Sequence, residues 1–318
     1  MAARLVDGEG PAETAGRAAI EARLRDRTFF WLDLHGPAEE DFALLREAFE
    51  FHPLALEDSE HFGQRAKLDE YDDFVFLVVY GAVEDEDDLV EVHCFYSERF
   101  LVTVRRDDCP AFELVRERHA KRRRTGADPV LLLYQVIDSL VDSFFPILAG
   151  LDDRIDELED GIFGGPTDEQ LQEIFQLKRR LMTMRKAISP QRDLFASLVG
   201  GVSGLPGMTP DAERYFRDVY DHLIRIADLI DSYRDLTSGT MDIYLSTVSN
   251  RLNGVMKQLA VIATIFLPLS FVTGFFGQNF GAMVDRIGGL PAFVGLGVGI
   301  QLASLVVLLV YFRRRGWF

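Results

Sequence analysis

Two stretches near the C-terminus break the pattern of the rest of the chain: from Leu259 to Phe276, and again from Leu290 to Phe312, no charged residue occurs. At about 1.5 Å per residue the second stretch reaches about 34 Å, enough to cross the hydrocarbon core of a bilayer. Both read as transmembrane helices, because two such runs separated by a short Gly-containing loop are foreign to a soluble core. Upstream the pattern changes. TFFWLDL, FVFLVVYGAV, VEVHCFYS and RFLVTVRRD are short runs of β-branched and aromatic residues alternating with helix-like stretches such as EEDFALLREAFE. That alternation predicts an α/β domain over residues 28–127, with its last strand ending near residue 108. Residues 1–27, rich in Ala, Gly, Glu and Arg and weak in apolar periodicity, are expected to form a loose start.

Beyond residue 108 every signal is helical. Asp128-Pro129 has the form of a cap followed by Pro at the first helical position and opens a helix toward Phe163, with Pro146 as a candidate kink. GGPT (164–167) ends it, and Thr167 with Gln170 has the spacing of a capping box for the next helix, which stops near GGVSGLPGMTP. Thr209-Pro210 opens the last one. No proline follows Pro210 until Pro268, so one continuous helix is expected from about 210 to 276, on the order of 100 Å long. The expected fold class is therefore α+β: a cytoplasmic α/β domain, a helical stalk over 128–254, a first transmembrane helix over 255–276, an external loop over 277–289, a second transmembrane helix over 290–312 and a basic tail over 313–318.

Charge orients this arrangement. The 318 residues carry 34 Lys and Arg against 51 Asp and Glu, a net −17, and the acids almost all precede the membrane segments, which argues against nucleic acid as a partner. Arg251 and Lys257 precede the first span and Arg313, Arg314 and Arg315 follow the second, so the positive-inside rule places both termini in the cytoplasm. Cys94 and Cys109 lack metal-type spacing and fit a reducing compartment. There is no HExxH, P-loop or nucleophile elbow, and the six histidines are scattered, so an enzyme is not expected.

One face of the long helix, followed in steps of three and four, reads Asn253, Met256, Ala260, Ala263, Leu267, Ser270 and Gly274, small or neutral throughout. Small residues also serve ordinary helix packing. The stripe ends at Gly277, Gln278 and Asn279, where carbonyls and amides emerge together; two spans cannot enclose a pore alone, so a pore requires several copies about an axis. Asp221, Asp228, Asp235 and Asp242 recur every seven residues on the same helix. With a drift of about 20° per heptad, Asp242 stays near the face of Met256, whereas all four equally suit a solvated helix surface. LDDRIDELED (151–160) reads as a solvated face or as a cation-attracting surface.

HPLALED (52–58), QRAKLDEYDDF (64–74), YFRDVYDHL (215–223), YLSTVSNRLNGVMK (244–257), ATIFLPLSFVTGFFGQNF (263–280) and YFRRRGWF (311–318) together give the chain a resemblance to the CorA family of divalent-cation channels over about residues 28–318. The family's Gly-Met-Asn, preceded by Tyr, reads Phe276-Gly277-Gln278-Asn279 here. The resemblance implies a funnel-shaped homopentamer in the cell membrane, with first spans lining the pore and second spans around them. Its pore positions fall on Asn253, Met256, Leu259, Leu267, Ser270, Gly274 and Asn279. A regulatory magnesium site between neighbouring chains falls on Asp218, with an acidic partner within Glu84 to Asp88, Asp85 and Asp87 foremost, and with Asp242 further along the axis. Lys257 with Arg313, Arg314 and Arg315 is expected to form a basic ring.

The function expected is uptake of Mg2+ through a channel gated by cytoplasmic Mg2+, with Co2+, Ni2+ and Zn2+ as further candidate ions. Two alternatives stand beside it: a zinc, cobalt or nickel transporter of the same fold, proton-coupled or not, and a non-conducting, membrane-anchored oligomer that senses metal. Neither span contains an ionisable residue to relay a proton, which weighs against proton coupling.

Overall fold

The computed structural model describes residues 2–6, 13–14, 16–83, 89–121, 128–278, 281, 285 and 289–317. Contacts divide the chain into one unit of residues 1–161 with 167–241 and a second of 162–166 with 242–318.

The first unit is built on a seven-stranded sheet in the order β2-β1-β3-β7-β6-β5-β4. Its strands are β1 (Ala2–Val6), β2 (Glu13–Thr14), β3 (Phe30–His35), β4 (Lys67–Glu70), β5 (Val75–Ala82), β6 (Leu89–Tyr96) and β7 (Phe100–Arg105). Only β3 and β7 pair in parallel. Successive side chains of a strand point to opposite faces, and here both faces are covered. Phe30, Leu32, Leu34, Phe76, Val78, Val102 and Val104 face a core completed by α1 (Arg17–Asp26), α2 (Glu39–Ala48) and α3 (Pro53–Glu60) through Ile20, Phe42, Leu45 and Leu56. Strands buried on both faces read as near-continuous apolar runs, which explains FVFLVVYGAV.

The opposite face carries a buried polar network. Trp31 Nε1 donates to Thr103 Oγ1 (2.9 Å), which donates to Asp33 Oδ1 (3.0 Å), while Arg105 and Arg116 reach Asp33 Oδ2 at 3.0 and 2.7 Å. Asp33 lies opposite Thr103 in the parallel register, which brings the network together. Arg116 comes from α4 (Pro110–Lys121), whose Phe112 packs on Trp31 and lies under the Arg105 guanidinium, 4.4 Å from ring to cation.

The residues before 28, expected to be loose, contain regular structure: β1 pairs antiparallel with β3 over Ala2–Val6, and α1 buries Ile20. A five-residue strand of which three residues are Ala or Arg offers little apolar signal, and it is the exposed edge of β3 that recruits it. The helix expected from Pro129 is interrupted one turn before Pro146, where the proline ring meets the Asp142 carbonyl four residues back and has no N–H to offer it. α5 (Pro129–Asp142) is capped by Asp128, whose Oδ1 accepts from Val130 N–H, and α6 (Phe144–Gly164) begins after Ser143. The Ser143 hydroxyl donates to Leu140 O and accepts from Ala82 N–H, tying the break to the sheet. Pro146 lies in the first turn of α6, where its missing N–H costs nothing. The capping box of α7 (Asp168–Val199) forms as read, with Thr167 Oγ1 accepting from Gln170 N–H and Gln170 Oε1 from Thr167 N–H. α8 runs without interruption over Pro210–Phe276. α9 (Leu290–Arg314) carries a π-helical stretch at Phe293–Gly299, where Gly295, Gly297 and Gly299 weaken the α-helical preference.

Among the described residues three helical stretches, α5 and α6 counted together, are long and apolar enough to cross a membrane, one more than expected from the sequence. The additional one, residues 129–164, has 61% of its apolar window buried within the protein, whereas the windows of α8 and α9 are 6% and 0% buried. Its apolar face is thus already used: Leu132, Leu133, Val136, Ile137, Leu140 and Val141 are core residues.

Removing Asp33 leaves two arginines facing a buried site without their shared carboxylate. Asp33→Ala is expected to lower unfolding free energy by about 3–5 kcal/mol, read from denaturant unfolding of the detergent-solubilised protein. A midpoint equal to the parent's would show that Arg105 and Arg116 find other partners.

Candidate functional site

Polar residues interrupt the apolar helix α5 at regular intervals: Tyr134, Asp138 and Asp142, each four residues from the next and so on one face. α8 carries Asp218 and His222 with the same spacing, and in the first unit these faces meet. One ligand atom each from Asp138, Asp142 and His222 lies within 4.8 Å of the others, a grouping able to hold a metal ion. His222 Nδ1 is 3.1 Å from Asp142 Oδ1 and Nε2 is 4.0 Å from Asp218 Oδ1. Nδ1 is nonetheless buried without a directed hydrogen bond, so its contact with Asp142 is an electrostatic one. Phe145 makes a T-shaped contact with the imidazole at 5.7 Å, and the Arg225 guanidinium lies over the Phe145 ring at 5.4 Å.

The carboxylates in this space lie close enough to repel one another. Burial, then the charge of Asp142, holds the Asp138 carboxyl above the ordinary carboxylate range, against the opposing pull of His222 and the Tyr134 hydroxyl. Tyr134 is likewise pushed up, by burial first and then by Asp138 and Asp218. A divalent cation among these carboxylates would favour their charged forms and oppose the rise at Asp138. Carboxylate oxygens suit magnesium, directly or through its waters, and the imidazole adds affinity for zinc, nickel or cobalt.

Of the residues singled out in the sequence, Asp218 lies at this cluster, half-exposed on α8. Asp138, Asp142, His222 and Tyr134 were not singled out; the available signal was a repeat of polar side chains every four residues in an apolar helix. Asp85 and Asp87 lie outside the described residues, as does Asn279. Asp242 is exposed on α8 in the second unit.

The second unit brings α8 and α9 together. Lys257 reaches the Gly316 carbonyl at 3.3 Å and lies over the Trp317 ring, which stacks on Phe312. Lys257 is thereby placed beside the tail that bears Arg313, Arg314 and Arg315, all exposed. Gln301 Nε2 donates to Thr273 Oγ1 at 2.8 Å, a polar tie between the two helices. The partly covered positions of α8 here are Lys257, Val261, Ile265, Pro268, Leu269, Val272 and Phe276. Asn253, Met256, Leu259, Ala260, Ala263, Leu267, Ser270 and Gly274 are all exposed, Leu267 to 72%. The expected stripe thus occupies the side of α8 away from the covered positions. At its end the Gly277 N–H donates to Thr273 O and the Gln278 N–H to Phe275 O, closing the helix.

The sequence pattern of the family described as CorA-like Mg2+ transporter protein matches residues 26–314. A cobalt/magnesium transport protein CorA of Thermotoga maritima is 37% identical over 298 residues, covering 90% of this chain and 83% of its own length. A second protein of that description, from Methanocaldococcus jannaschii, is 26% identical over 302 residues, 93% of this chain and 94% of its own. The solved structure of the CorA magnesium transporter from Methanocaldococcus jannaschii superposes with a TM-score of 0.82 at 22% identity, covering 100% of this chain and 99% of that one.

The raised Asp138 carboxyl makes a directional prediction. Between the ordinary carboxylate value and the raised one, the folded state holds more protons than the unfolded, so without metal stability falls as pH rises through that window. In chelator, Asp138→Asn is therefore expected to unfold at a higher temperature than the parent at neutral pH, the difference vanishing below the carboxylate range. Added magnesium should reverse the order. Thermal unfolding across pH, with and without Mg2+, measures this; superimposable curves would exclude the cluster as a cation site.

Proposed function

The chain belongs to the CorA-like Mg2+ transporter family, and from that premise we propose that it forms a homopentameric, magnesium-selective channel for uptake across the cell membrane. The observation that carries the reading is the uncharged stripe on the uncovered side of α8, ending at Gly277, Gln278 and Asn279. In a single chain this face exposes Met256, Leu259 and Leu267, side chains that neither water nor a lone helix pair accommodates well. Around an axis the same face becomes a pore wall, with 255–276 and 290–312 as spans, 277–289 outside and both termini in the cytoplasm.

Magnesium surrenders its waters reluctantly, so a selective entrance offers oxygens to the hydrated ion rather than carboxylates to the bare one. Gly277 carbonyls and the amides of Gln278 and Asn279, repeated around the axis, provide such oxygens. Met256, Leu259 and Leu267 form an apolar constriction that closes by dewetting. A divalent ion entering a negative interior gains about 4.6 kcal/mol per 100 mV, which sets the direction. On the cytoplasmic side, Mg2+ at Asp218 and its neighbours Asp138, Asp142 and His222 holds the closed state; its loss releases mutual repulsion among the carboxylates and opens the pore. The imidazole of His222 favours a second reading, transport of cobalt, nickel or zinc, and competition among these ions in reconstituted flux separates the two.

Asn279→Ala is expected to reduce Mg2+ flux to background in liposomes while the oligomer remains assembled; parental flux would refute the entrance assignment. Asp218→Ala is expected to move the midpoint of inhibition by internal Mg2+ to higher concentration without abolishing current. Equal midpoints would reduce Asp218 to a solvated helix residue.

A further inference from the structure

Four cationic side chains, Arg65, Arg185, Lys186 and Arg234, line a shallow pocket of about 400 Å³ in the first unit, together with Met182 and Pro190. A single carboxylate is paired among them: Asp231 Oδ1 receives Arg185 at 3.2 Å and Arg234 at 2.9 Å. Arg65 and Lys186 make no ion pair among the described residues. In a chain with 51 acids and 34 bases, four cations against one anion is a local reversal of sign. The net charge does not cancel it at contact, because beyond about 8 Å exposed charges are largely screened at physiological ionic strength.

The frame beneath the patch is rigid. Gln191 on α7, fully buried, pairs with the backbone of Tyr80 in β5 as a strand would: Tyr80 N–H donates to Gln191 Oε1 at 2.6 Å and Gln191 Nε2 donates to Tyr80 O at 3.2 Å. The Tyr80 hydroxyl in turn donates to the Gln64 carbonyl, and Glu91 accepts from the Gly63 and Gln64 N–H groups at 2.6 and 2.9 Å. The residue before Arg65 and the residue after Pro190 are therefore both anchored to β5, which fixes the backbone from which these cations project. Preorganisation of this kind lowers the cost of binding.

We propose that this pocket binds a soluble polyphosphate anion of the nucleoside triphosphate class. Guanidinium forks engage phosphate oxygens two at a time and an ammonium adds a point charge. A ligand of several negative charges is needed to engage four cations, which a simple carboxylate cannot do. Met182, 48% exposed, supplies apolar surface for a base or sugar beside the phosphates. The site is independent of the pore reading.

The test is displacement of a fluorescent ATP analogue from the full-length protein in detergent, in EDTA, by ATP and by inorganic triphosphate. Arg65→Gln combined with Lys186→Gln removes the two cations that pair with no carboxylate, so no acid is orphaned; an unchanged unfolding midpoint checks the fold. Binding to the double variant is expected to weaken by about ten-fold or more, and parental binding to weaken with added salt. Met182→Ala is expected to weaken ATP more than triphosphate. Equal affinity of parent and double variant, absence of saturable binding to the parent, or capture only by vesicles carrying phosphorylated inositol lipids would overturn the proposal.

Discussion

Inside a hydrocarbon layer every backbone N–H and C=O must find its partner within the protein, and a helix is the element that meets this condition within one segment. α8 obeys that constraint along its apolar end and the rules of a soluble helix along the rest. In the first unit it buries Phe216, Val219, Leu223, Ile226 and Ile230 against the core. Further along, its largest side chains are uncovered. Pro268 is the one exception to regular backbone pairing there, since it has no N–H to offer the Thr264 carbonyl. One element thus supplies two ligands of the acidic cluster and the whole of the uncharged stripe.

Buried charge is handled in two ways. Asp33 receives two arginines and a threonine, and such a satisfied network fixes register and rigidity. The Asp138, Asp142 and His222 group lacks a matching cation, and its penalty appears as the raised Asp138 carboxyl. A satisfied network holds the sheet together; an unsatisfied one is where a bound cation would shift an equilibrium.

Much of the architecture was legible because the signals were local. Thr167 and Gln170 stand three apart and meet across one turn, Asp128 precedes Pro129, and the absence of proline between 210 and 268 permits one long helix. The signals that failed were those outweighed by tertiary contact. β1 exists because β3 offers it an edge that a weak apolar pattern does not announce; the break between α5 and α6, by contrast, falls one turn before Pro146, and the Ser143 hydroxyl ties it to Ala82 of the sheet. Residues 129–164 contain a window apolar enough to span a membrane, and their burial, with a lower hydropathy of 1.5 against 2.4, distinguishes them from α9.

The sequence by itself determined the two uncharged apolar helices near the C-terminus, the strands and helices that follow residue 28, the uncharged stripe and the family, since these depend on composition and spacing along one chain. It also singled out Asp218. Only the tertiary structure decided which side of α8 is left uncovered and which residues stand beside Asp218. The ligands Asp138 and His222 are 84 positions apart, a distance over which helical periodicity carries no information. Packing of α5 against α8 brings them within reach of a single ion.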